Sequence, residues 1–164
     1  MPLMHPEQLG FKLGLKIFIG QPARITDMKP EATTHDVVYV ALFADTGKPL
    51  EKGDALKVGQ CGASLKNRWR GICGIFEPGR KHRNNEKSDA EKWLRVTNGK
   101  VVSVWVKAAE KIEIPYTRGL TKSRFSIRCA EEEFLDQYYE PKLGMTLNRI
   151  SEESTKTSDA RISL

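Results

Sequence analysis

Tyr39 lies inside VVYVALF, Lys57 two residues before Gly59 in LKVG, Arg68 in SLKNRW, and Glu132 in AEEEFLDQYYEP, nine residues before Pro141. A phenol, an ammonium, a guanidinium and a carboxylate are groups that phosphodiester hydrolysis can use together. That reaction needs an activated oxygen nucleophile, positive charge around the five-coordinate phosphorus, and neutralisation of the departing oxygen. A guanidinium offers a rigid fork of donors to non-bridging phosphate oxygens, and a carboxylate holds a hard divalent cation. A phenol can trade a proton with water, but its ordinary pKa near 10 must first be lowered.

The elements that must position these groups follow from hydrophobic patterning. Phe11 to Ile19 alternates well enough for a strand, with Gly14 marking a bulge or an edge. Gly20 to His35 reads as a polar connection containing prolines. Val37 to Phe43 is β-branched and aromatic throughout, the pattern of a strand buried on both faces. The turn residues Asp45 to Pro49 reverse the chain into a short returning strand, Ala55 to Val58, which Gly59 to Gly62 breaks. Ser64 caps a helix carrying Leu65, Arg68, Trp69 and Ile72 at helical spacing, ending near Gly71 to Gly74. A basic loop, Pro78 to Ser88, precedes a second helix over Asp89 to Val96, and Asn98-Gly99 turns into a strand over Val101 to Val106. Ile112, Ile114 and Tyr116 extend that strand or add an edge, and a last helix runs from about Cys129 to Tyr139, stopped by Pro141. The expected fold is α+β, with a small, mostly antiparallel three-stranded central sheet flanked by helices and an extra N-terminal strand.

The chain has 164 residues, enough for one domain with its own core, a formal net charge of +6 and no apolar run long enough to span a bilayer. No secretory pattern opens it, which points to the cytoplasm, and Cys61, Cys73 and Cys129 match no zinc spacing and read as reduced packing residues. The positive charge favours an anionic polymer, and it is concentrated between Lys66 and Arg95, with a thinner stretch at Lys107 to Arg128.

The order of these features resembles the GIY-YIG nuclease family. Val37-Val38-Tyr39 stands where the first tripeptide belongs, Lys57-Val58-Gly59 where the second does, and AEEEFLDQYYEPKLGMTLN is similar to the final helix, with its metal-binding glutamate at Glu132. Val37 replaces a glycine, Lys57 replaces a tyrosine as in some restriction-type relatives, and Ile72 stands where the family often has His or Tyr. The resemblance covers about residues 36–148, implying a nuclease domain there, an N-terminal extension at 1–35 and a flexible polar tail at 149–164. It implies that Tyr39 handles the proton of the attacking water, with Lys57 lowering its pKa. Arg68 then holds the phosphate, and Glu132 binds one Mg²⁺ or Mn²⁺. His82 on the basic loop substitutes for the missing proton-handling residue, while Gly59 and Asn148 position the phosphate. Lys66, Arg70, Arg80, Lys81, Arg83, Lys122 and Arg124 grip DNA.

The function expected on this basis is metal-dependent hydrolysis of DNA phosphodiesters by a restriction or phage-type endonuclease. A dimer would suit the restriction role, and no membrane partner is expected. The alternative is a catalytically silent nucleic-acid-binding module of the same fold.

Overall fold

The VVYVALF segment forms the strand that carries the rest of the molecule. The computed structural model describes residues 3–51, 53–79, 86–109 and 124–139, with 86–90 and 124–130 described by backbone alone. Its strands are β1 (Lys12–Ile19), β2 (Arg24–Met28), β3 (Val37–Phe43), β4 (Ala55–Cys61) and β5 (Lys100–Ala108). Its α-helices are α1 (Leu65–Gly74), α2 (Glu86–Thr97) and α3 (Arg124–Tyr139). All five strands join one antiparallel sheet in the order β2-β1-β5-β3-β4. Six of the seven β3 residues are buried, because β3 is paired on both edges and covered on both faces.

Helices cover the two faces unequally. On one face, Leu65 and Trp69 of α1 and Trp93 of α2 join Val37, Tyr39 and Ala41 of β3 and Leu15 and Ile17 of β1 in the larger core. On the other, Leu135 and Tyr139 of α3 pack against Val38, Val40, Leu42, Val58 and Phe11. Each of the buried valine, leucine and isoleucine side chains among them contributes roughly 1.5–3 kcal/mol by leaving water. The helix–sheet–helix arrangement agrees with the α+β class.

Two expectations are corrected. The sheet has five strands, and β1 is an interior strand between β2 and β5. The β2 segment reads as connection in the sequence because an edge strand whose residues, Arg24 to Met28, are all exposed or half-buried needs little hydrophobic signal. The second correction is that β4 continues through Gly59 to Cys61, since Val37, Val38 and Tyr39 pair with Cys61, Gln60 and Gly59. Gly14 does mark a bulge, with the β1–β5 register shifting between Leu13 and Leu15. A Cβ there would stand 2.7 Å from Leu65 Cδ2 and 3.0 Å from Val106 Cγ1, so glycine lets α1 lie close on the sheet. Among the described residues no helix is long and apolar enough to cross a membrane.

Candidate active site

β4 is the outer strand on its side of the sheet, so α1 on one face and α3 on the other approach one another around its edge. The four groups singled out from sequence gather there, one from each of β3, β4, α1 and α3.

Tyr39 comes first because the ladder fixes it. Strand alternation sends its side chain to the α1 face, where it is fully buried and meets Trp69 edge-on at 5.8 Å between ring centroids. Directly across the ladder is Gly59, and a Cβ on that residue would collide with the phenol, coming within 2.9 Å of Cε1 and closer still to Cζ and the hydroxyl. Gly59 therefore makes room for the ring. The Tyr39 hydroxyl has no hydrogen-bond partner among the described residues.

Burial pushes the Tyr39 phenol up to about 12, and the nearby Arg68 guanidinium pulls against that shift, while Cys61 and Glu132 add to it. Arg68 acts on the phenol chiefly through its charge, because the hydroxyl lacks a contact that meets both distance and angle for a hydrogen bond. The expectation that Lys57 lowers this pKa is corrected in both respects: the net shift is upward, and the opposing cation is Arg68. The physical reason is dehydration of a wholly buried phenolate, which one exposed guanidinium does not offset.

Arg68 reaches the site because α1 starts where it does. Ser64 caps the helix, its Oγ accepting from the Asn67 backbone N–H at 3.3 Å. With Leu65 and Trp69 committed to the core, Arg68 falls on the exposed side. Lys66 is half-buried and Arg70 exposed on the same helix.

Glu132 is half-buried on α3, and its carboxyl is raised above the ordinary range. Burial is the main cause; Lys57 opposes it, Asp136 adds to it, and a hydrogen bond from the Gln60 side chain and the Arg68 charge also oppose it. These opposing influences place Lys57, Gln60, Arg68 and Asp136 around one carboxylate. The helix is held in position by Leu135 and Tyr139 in the core and by the Tyr139 hydroxyl, which donates to the Met4 carbonyl at 2.9 Å. Met4 in turn donates its backbone N–H to the Tyr138 hydroxyl at 3.1 Å.

The sequence reading missed Gln60, Cys61 and Asp136. Asp136 was detectable in principle, since it follows Glu132 by one helical turn. Gln60 carried no signal until β4 proved to extend past Gly59, which turns it toward α3 beside Val38. A cleft of about 660 Å³ opens next to these groups, with Gln60, Cys61 and Arg68 in its wall. Ile72, in place of a polar residue, also lines it.

The sequence matches no protein-family model and no curated protein. Among solved structures the chain is similar to the restriction endonuclease HPY188I in complex with product DNA, at 12% identity and a TM-score of 0.40, over 89% of this chain and 93% of that one. At that distance the chemistry of the site has to be read from its own side chains.

Arg80, Lys81, His82, Arg83, Lys122 and Asn148 lie outside the described residues, as do Ile112, Ile114, Tyr116 and the tail at 149–164. Arg124 opens α3, described by backbone alone.

Proposed function

We propose that the chain is a metal-dependent DNA endonuclease of the GIY-YIG type, acting through Tyr39, Lys57, Arg68 and Glu132. The observation that supports this reading is the mutual electrostatic influence of a phenol, a guanidinium, an ammonium and a carboxylate around the edge of β4. Arg68 and Lys57 supply the positive charge that a phosphodiester attracts, with Arg68 directed at the non-bridging oxygens. A phenol that stays protonated to about 12 acts as a relay rather than a standing base. The proposal requires the buried hydroxyl to become accessible when DNA binds; its oxygen then takes the proton of the attacking water while its own proton passes to a phosphate oxygen. The water oxygen bonds to phosphorus, and the bond to the departing sugar oxygen breaks.

The donor set fits a hard divalent cation such as Mg²⁺ or Mn²⁺, which is commonly held through one or two carboxylates with water and phosphate completing the shell. Glu132 would hold it, with Asp136 one turn further along α3, and bound there it supplies charge to stabilise the departing oxygen. Lys66 and Arg70 on α1, with Arg80, Lys81, Arg83, Lys122 and Arg124, complete the proposed grip on phosphates. A homodimer, which would place one such centre on each strand of a duplex, belongs to the proposal.

Supercoiled plasmid incubated with the protein and Mg²⁺ tests it. The wild type should nick or linearise the DNA, EDTA should stop it, and Glu132→Ala should abolish cutting while DNA binding persists. Retarded but intact DNA with both proteins would instead establish the silent binding module.

A further inference from the structure

The cleft beside Arg68 is not explained by the hydrolysis itself. It runs from the end of β4 along the outer side of α1, and its wall changes character along its length. Asn67 and Arg68 make one part polar, Ile72 and Ile75 make another apolar, and Gly71 contributes no side chain between them. A Cβ built on Gly71 meets nothing within 4 Å, so the helix leaves that space open. Its volume, about 660 Å³, is in the range of sites that take small molecules or pieces of larger ones.

We propose that this cleft receives one nucleoside of the DNA strand being cut, adjoining the phosphate that Arg68 holds. The assignment rests on the nuclease reading. Arg68 belongs to both the cleft wall and the surroundings of Tyr39, so a strand whose phosphate sits at that guanidinium has a sugar and base within reach of the cleft. The isoleucines offer apolar contact to the flat face of a base, and the Asn67 amide carries a donor and an acceptor to meet its edge. A paired base enters such a cleft only by leaving its stack, at a cost of a few kcal/mol that is least for a mismatched or unpaired base. Among duplexes, the preferred substrate is thereby one with a weakly held base beside the cut.

The test uses oligonucleotide duplexes carrying one abasic or one unpaired nucleotide at successive positions, bound in EDTA and cut in Mg²⁺. With the wild type, one position near the cut should stand out, an abasic residue weakening binding about tenfold, the order of one base's contacts, and an unpaired base strengthening it. Gly71→Leu, which fills the cleft from a helical position with open space around its Cβ, should erase that positional sensitivity and bind intact DNA about as weakly as the wild type binds the abasic duplex. Gly71→Ala, with unchanged circular dichroism, should keep it. If Gly71→Leu binds and cuts every duplex as the wild type does, the cleft assignment is overturned and the nuclease reading survives. A wild type that cuts nothing under any of these conditions overturns both.

Discussion

Gly59 stands directly opposite Tyr39 in the β3–β4 ladder, and the phenol of Tyr39 occupies the space that a Cβ at residue 59 would need. Gly59 therefore acts on Tyr39 through sterics. Gly59→Ala should push the ring out of place, costing about 1–3 kcal/mol as other forced overpacking does. Plasmid cutting should fall at least as far as it does in Tyr39→Phe. Chemical denaturation and the cutting assay check this together, and a variant as stable and as active as the wild type would sink it.

Tyr39 keeps a buried hydroxyl without a partner among the described residues. Removing it takes away a dehydrated polar atom and leaves the ring's packing against Trp69 intact. Tyr39→Phe should therefore be no less stable than the wild type, and more stable by up to about 1 kcal/mol, while cutting is lost. Measured melting temperatures decide it: a clear drop would mean the hydroxyl has a stabilising partner.

Glu132 has a carboxyl raised by burial, so the folded chain binds its proton more tightly than the unfolded chain does. This contribution to stability is fully present below the ordinary glutamate pKa of about 4.3. It is lost as pH rises through the higher folded value. Glu132→Gln should accordingly melt above the wild type at pH 7, and the gap should close as the pH is lowered past the ordinary carboxylate range. Cutting should vanish at every pH. A variant that melts lower at pH 7 would show that Glu132 stabilises the fold instead.

Ser64 caps α1 and fixes where the helix begins, and with it the side on which Arg68 emerges. Ser64→Ala should cost about 1 kcal/mol, the usual loss for a missing N-cap. Because the lost bond frays the first turn, KM for DNA should rise more than kcat falls. Thermal melts and steady-state cutting separate the two effects, and an unchanged KM would detach Arg68 from the cap.

Tyr139 lies seven residues, about two helical turns, beyond Glu132 and donates its hydroxyl to the Met4 carbonyl, anchoring the end of α3. Tyr139→Phe should lower stability by about 1 kcal/mol and reduce cutting modestly, with binding in EDTA unchanged. A loss of binding equal to the loss of cutting would place the effect elsewhere.

Local chemistry was enough to mark much of this protein in its sequence. The run Val37 to Phe43 declared a strand buried on both faces, Ser64 declared a helix start, and Asn98-Gly99 declared a turn, with Gly99 at a φ of 74°. Phenol, ammonium, guanidinium and carboxylate could be nominated only through the order and spacing in which they resemble the motifs of a nuclease family, since each residue type by itself is common on any strand or helix. Long-range pairing decided the rest. The polar segment Arg24 to Met28 became a strand only because β1 offered it an edge, and β4 outran Val58 because Val37 to Tyr39 extended the ladder beneath Gly59, Gln60 and Cys61. That extra length brought Gln60 to Glu132. The direction of the Tyr39 shift was likewise invisible in the chain, since it depends on how much water the sheet, Trp69 and α1 remove from the phenol, and sequence neighbours do not fix that quantity.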